Sequence, residues 1–178
     1  MVRPVQFMFC FVELQCGPQK ADIHTSAEKD FFGSWYPVTG ANAPLYDQEW
    51  GDEDVKGFSV DGCVRNWMKG GASPSRINIG LPFYGRSFKK AKGLNETHEG
   101  NDMDTWYMDD GSPQYFNIID KLSEYTSVRH EPTKTQYAYR DSESGGLVSY
   151  DDEQAICDKT EYVSYSCVFT MISGCGFL

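Results

Sequence analysis

Carboxylates are the residues of this 178-residue chain whose type best suits acid–base chemistry, and they gather at Asp52-Glu53-Asp54, Asp109-Asp110 and Asp151-Asp152-Glu153. A working acid needs a raised pKa and a positioned partner. The first cluster reads as a solvated loop. The third reads as helix capping and dipole matching. Asp102-Met103-Asp104 hints at a calcium loop, but the required Gly and terminal Glu are missing. His24, His98 and His130 are scattered and no Gly-x-Ser-x-Gly occurs, so Ser-His-Asp chemistry has no support. The six cysteines, Cys10, Cys16, Cys63, Cys157, Cys167 and Cys175, include no Cys-x-x-Cys pair, which argues against a zinc ribbon or a thioredoxin motif. No catalytic residue, metal ligand or cofactor is assigned.

Recognition is better represented. The apolar run at 77–81 feeds into Pro82-Phe83-Tyr84-Gly85-Arg86. This reads as a buried strand over 77–83 whose carboxyl end delivers Tyr84 and Arg86 to a surface, with Phe83 in the core. The net charge of -10 argues against nucleic acid and against anionic membrane surfaces, both of which call for Lys and Arg. A neutral polymer such as a glycan is compatible with that charge. The aromatic share of 15% suits sugar faces, although most single aromatics are expected in the core. Asn95-Glu96-Thr97 is an N-glycosylation sequon in a Gly-rich, polar stretch. The apolar patch at 7–12 is short for a signal peptide and has no clean cleavage site, and no run of 18 apolar residues spans a membrane.

The positioning elements are then read from periodicity. Residues 1–29 form an atypical N-terminal segment. Ser59 caps a helix with Val60, Val64, Trp67 and Met68 on one apolar face, and Gly70-Gly71 ends it. Loop, helix and strand in that order make half of a βαβ unit. Residues 89–143 read as a small α+β insertion. It has strands over 104–108 and 135–139 and a helix over 115–125 carrying Phe116, Ile119 and Leu122 on one side. A short strand at 147–150 leads into a helix capped by Asp151 or Asp152, with Ile156 and Val163 inward. A last strand falls within 168–172.

Four ordered stretches carry a resemblance. They are Asp30-Phe31-Phe32-Gly33-Ser34-Trp35 with the following 40–46, then 80–88, then 89–143, and Leu147-Val148-Ser149-Tyr150-Asp151-Asp152-Glu153. Over roughly 30–163 the chain resembles glycoside hydrolase family 18, the chitinases and chitinase-like lectins. Its loops are similar to those of secreted insect chitinase-like proteins. The resemblance implies an α/β fold: a partial TIM (β/α)8 barrel formed by its last strands and helices, carrying an α+β chitinase insertion domain. The barrel part is placed at 30–88 and 144–178, and the insertion domain at 89–143. A whole barrel needs roughly 250 residues, so a C-terminal fragment is expected.

The family protonates the glycosidic oxygen with the Glu of an Asp-x-x-Asp-x-Asp-x-Glu motif, while the substrate's own acetamide attacks the anomeric carbon. That motif is absent from the chain. By resemblance, Asp30 matches an Asp that hydrogen-bonds the acetamido sugar, Trp35 an aromatic that stacks on a sugar, and Tyr84 and Arg86 a pair that lines the cleft. The Met and Tyr that accompany that Asp are replaced by Ala27 and Lys29, and the last strand lacks the family's Trp. Each residue has a plainer alternative. Asp30 would be a cap or loop carboxylate, Trp35 a cover over an exposed edge, and Arg86 a partner of a nearby carboxylate. Cys63 and Cys157 fall on the helices flanking the seventh strand. A disulfide between them is expected, with free thiols as the alternative. The expectation is thus a truncated, non-catalytic chitinase-like protein that weakly binds chitin or N-acetylglucosamine oligomers and is extracellular by resemblance. The alternatives are an incompletely recorded secreted chitinase and a protein-interaction or signalling module.

Overall fold

The computed structural model describes residues 31–51, 55–74, 77–106, 111–141, 145–165 and 170–171. Asp30, the segment 1–29, Asp52-Glu53-Asp54 and Asp109-Asp110 lie outside the described residues.

Helix α1 is Val60–Lys69, and local chemistry sets both of its ends. The Ser59 hydroxyl accepts from Gly62 N at 3.0 Å, a cap that contributes about 1 kcal/mol. The N–H of Gly70 returns to Asn66 O at the other end. The buried face is narrower than its periodicity predicts. Val60, Cys63 and Val64 are inside, whereas Trp67 and Met68 are exposed. Strand β1 is only Asn78–Ile79, pairing in parallel with β6, Thr170–Met171. The predicted strand at 77–83 is therefore shorter, and Phe83, expected in the core, is 46% exposed. One core joins these elements: Leu45, Val60, Val64, Ile77, Ile79 and Val163. Each fully buried Val, Leu or Ile contributes roughly 1.5–3 kcal/mol.

A second layer is an antiparallel sheet in the order β2-β5-β4-β3. Its strands are β2 Arg86–Lys89, β3 Thr126–His130, β4 Thr135–Tyr139 and β5 Gly146–Tyr150. The sheet thus begins at Arg86 and ends at Tyr150, beyond both ends of the 89–143 span. All five residues of β5 are buried, because both of its faces are covered. Val148 and Tyr150 pack with Trp106, Ile118 and Ala138 on one side. Leu147 packs with Phe88 and Ala91 on the other.

Several local expectations are corrected. The predicted strand at 104–108 begins as helix α2, Met103–Trp106, because Asp102 caps it: its carboxylate accepts from Thr105 N at 3.2 Å. Residues 107–108 lie outside the described residues. Helix α3 is Tyr115–Lys121 followed by a 3₁₀ turn, Leu122–Glu124. Its inner face is Tyr115, Ile118 and Leu122, while Phe116 and Ile119 are exposed. The edge strand β3 was not foreseen. Helix α4 is Glu153–Tyr165, and Ala155 N donates to Asp152 Oδ1 at 2.8 Å. Asp152 is thus its cap, with Ile156 and Val163 inward as expected. Asp151 does something else: it forms a buried ion pair with Lys159. The predicted disulfide is not formed: Cys63, on α1, is buried and Cys157, on α4, is exposed.

The turn joining β3 and β4 carries a chain of polar contacts. His130 Nδ1 meets Thr133 Oγ1 at 2.7 Å, and Thr133 Oγ1 meets Thr135 Oγ1 at 2.7 Å. Thr133 O accepts from Leu45 N at 2.8 Å, which fastens the hairpin to the other core. Burial pushes the His130 pKa below its usual 6.5, with Glu49 opposing weakly. A neutral His130 therefore favours the fold, and this contribution is complete above about pH 6.5. It is lost as pH falls below that value, because the unfolded chain takes up the proton first. His130→Gln is expected to reduce the drop in urea midpoint between pH 7 and pH 5, and equal drops in the two proteins would refute this.

Candidate functional site

Strand alternation builds the site. In Tyr84-Gly85-Arg86 the outer two side chains share one face and Gly85 takes the other. A Cβ on Gly85 would lie 2.7 Å from Ser149 O, 2.8 Å from Val148 Cγ2 and 2.9 Å from Ile118 Cδ1. Glycine lets this segment press against β5 and α3, and Tyr84 and Arg86 are thereby turned away from the sheet. The buried Asn42 steadies the same segment. Its Nδ2 donates to Tyr84 O at 3.2 Å, and its backbone N donates to Ser149 Oγ at 2.9 Å.

Trp35 arrives from a separate loop. Phe32 anchors that loop, fully buried against Tyr36, Trp50 and Phe58 at ring separations of 5.1, 5.6 and 6.0 Å. A tight turn, with Tyr36 N donating to Gly33 O at 2.9 Å, then projects Trp35 outward. The loop is stitched to the segment at 95–98. Thr39 N donates to Glu96 O at 2.8 Å, Asn95 N donates to Thr39 O at 2.9 Å, and His98 Nε2 meets Tyr36 O at 2.7 Å.

Trp35, Tyr84 and Arg86 converge. The Arg86 guanidinium carbon lies 5.3 Å from the Trp35 ring centroid and 5.8 Å from that of Tyr84. Arg86 Nη1 also donates to Ser112 Oγ. Each cation–ring contact at such a site contributes about 0.5–1 kcal/mol. Trp35 remains 49% exposed, so half of the indole is open to a ligand. The arrangement offers a flat apolar face beside a fixed fork of N–H donors. That combination suits a pyranose ring, which is apolar on its faces and hydroxylated at its rim. Three of the four anticipated binding residues are therefore brought together, and the fourth, Asp30, lies outside the described residues. Asn95, the anticipated glycosylation site, is exposed with φ at 62°. Among the described residues, no group of three or more His, Cys, Asp or Glu could hold a metal. No described helix is long and apolar enough to cross a membrane.

Sequence reasoning missed Gly33, Asn42 and Ser112. Asn42 lies inside the 40–46 stretch already singled out. Gly33 has a local signal, a glycine two residues before an exposed aromatic. Ser112 has none, since only the pairing of 111–114 with 84–87 places it.

The sequence pattern of glycosyl hydrolases family 18 matches residues 22–167. The chain belongs to this family. Trp35, Tyr84 and Arg86 all lie within the matched residues, as does the whole four-stranded sheet. Endochitinase 1 of Metarhizium robertsii is 31% identical over 134 residues, covering 75% of this chain and 30% of its own length. Probable chitinase 2 of Drosophila melanogaster is 36% identical over 141 residues, covering 73% and 28%. Among solved structures, the class V chitinase of Nicotiana tobaccum in complex with NAG4 aligns with a TM-score of 0.70 at 27% identity, covering 80% of this chain and 40% of that one. The chain therefore spans less than half the length of these relatives.

Proposed function

We propose that this chain is a chitinase-like member of family 18 that binds N-acetylglucosamine oligomers weakly along the Trp35 face and does not hydrolyse them. One observation carries the reading: the Arg86 guanidinium is held between the Trp35 and Tyr84 rings with half of Trp35 open. The likeness to a chitinase solved with NAG4 supports it. Catalysis is left out because no Asp-x-x-Asp-x-Asp-x-Glu stretch occurs in the 178 residues. On this reading β1, α1, α4 and β6 belong to a (β/α)8 architecture, and the four-stranded sheet with α3 belongs to the insertion domain. Asp30 joins the binding residues, Asn95 carries a glycan, and the protein is extracellular.

Titration with the N-acetylglucosamine tetramer, followed by tryptophan emission, is the test. A saturable change with a dissociation constant of about 0.1–1 mM is expected for so small and open a contact. No change at millimolar ligand refutes the reading. Release of chromophore from a chromogenic chitobiose derivative would overturn its non-catalytic part. The greater length of the relatives favours a second reading, a chitinase whose acid-bearing strand lies outside these residues. Upstream sequence encoding the acid motif in frame would establish it. The exposed Phe116 and Ile119 of α3 favour a third, a module that docks on a protein partner.

A further inference from the structure

We propose that Ser112 is a positioning residue of the sugar-binding face, acting through Arg86 to set the tilt of Trp35. This rests on the carbohydrate reading above for its ligand, but not for its geometry.

The segment at 111–114 lies against the outer side of 84–87. Gly85 N donates to Pro113 O at 2.8 Å, and Ser87 N donates to Gly111 O at 3.0 Å. A bridge pairs Tyr84 with Gln114. These contacts bracket Arg86 and Ser112 and leave no freedom of register between them. Gly111 makes the close approach possible. Its φ is +67°, and a Cβ there would meet Asn101 at 2.6 Å and Ser87 Oγ at 2.9 Å. Ser112 Oγ is thereby fixed where it accepts from Arg86 Nη1.

An arginine side chain has several rotatable bonds, and contacts with the Trp35 and Tyr84 rings leave the orientation of its guanidinium to its hydrogen bonds. The Ser112 hydroxyl takes up one N–H of the guanidinium and so helps to set its plane. The plane fixes where the Trp35 ring rests. The side chain at 112 thus tunes the binding face without touching a ligand, and it comes from a part of the chain remote from both aromatic residues.

The test compares Ser112→Ala, Ser112→Cys and Ser112→Thr with the wild-type protein. A hydrogen bond to a charged group at a half-exposed site corresponds to roughly three- to tenfold in affinity. Ser112→Ala and Ser112→Cys are expected to weaken tetramer binding by about that factor. Their melting temperatures are expected to stay within about 3 °C of wild type, since surface changes have small effects. Ser112→Thr, which keeps the hydroxyl, is expected to restore binding. The second readout needs no ligand: the difference between the emission spectra of wild type and Trp35→Phe isolates Trp35. That difference spectrum is expected to shift in Ser112→Ala and to return in Ser112→Thr. An unchanged Trp35 contribution in Ser112→Ala and Ser112→Cys overturns the proposal. So does failure of threonine to restore it. If wild type binds no oligomer, the carbohydrate reading falls, while the spectra still decide the role of Ser112.

Discussion

Replacing Lys159 with methionine is expected to destabilise the protein by about 3–5 kcal/mol, a large share of the roughly 5–15 kcal/mol that holds a domain folded. Lys159 Nζ bonds Asp151 Oδ2, and the two side chains are 0% and 1% exposed. Among the described residues, Asp151 Oδ1 has no hydrogen-bond partner. The lysine is therefore the main compensation for a carboxylate that water cannot reach. Burial raises the Asp151 pKa above its usual 3.8, while Lys159 opposes that rise. Methionine fills similar volume, so the loss is electrostatic rather than a cavity. The sign of the pH dependence separates the two. A carboxylate whose folded pKa is raised contributes stability below its unfolded pKa and loses it as pH rises. The gap between Lys159→Met and wild type should therefore be largest near neutral pH and should narrow towards pH 4. Adding Asp151→Asn should recover most of the loss, since an ion pair exchanged for neutral residues of similar volume is often close to neutral in stability. Urea unfolding across pH reads all three proteins. A gap independent of pH would mean that packing, not charge, is at stake.

The parts of this fold that announced themselves were set by neighbours in sequence. Ser59 and Gly70 mark the ends of α1 because caps act within one turn. Asp152 marks the start of α4 for the same reason. Where the outcome depends on distant chain, local pattern misled. Phe116 and Ile119 are the more apolar choice on α3, yet the sheet lies under Tyr115, Ile118 and Leu122. Strand β3 sits at the sheet edge, its residues exposed or half-buried, and so lacks the alternation that betrays a strand. The acids show the same divide. A capping role suits any carboxylate before a helix, and only the fold distinguishes Asp152, which caps, from Asp151, which is buried on Lys159. At the site, Tyr84 and Arg86 were legible because the apolar run before them ends there, and residues two apart on an extended chain share a face. Their union with Trp35 is tertiary, and neither spacing nor composition contains it.

Gly33→Ala is expected to weaken tetramer binding about tenfold, matching Trp35→Ala, while leaving the fold standing. A Cβ at Gly33 would lie 2.2 Å from Trp35 Cζ3 and 2.3 Å from Cη2, so the ring must leave its place. Its backbone angle is not one that excludes alanine, and no other atom comes as near, so the change acts through the indole. Trp35 is half exposed and can swing into water at little cost to the core. What it forfeits is the contact with Arg86 at 5.3 Å and the orientation of its open face. A displaced stacking surface forfeits roughly 1–2 kcal/mol of binding, which is about tenfold in affinity. Gly33 and Trp35 should also couple completely. Once Trp35 is alanine, the methyl at position 33 has nothing to strike, so the double variant should bind no worse than Trp35→Ala alone. Additive losses would place the effect of Gly33 in the Phe32 anchor instead. Wild-type binding by Gly33→Ala would mean that the indole is not part of the sugar contact at all.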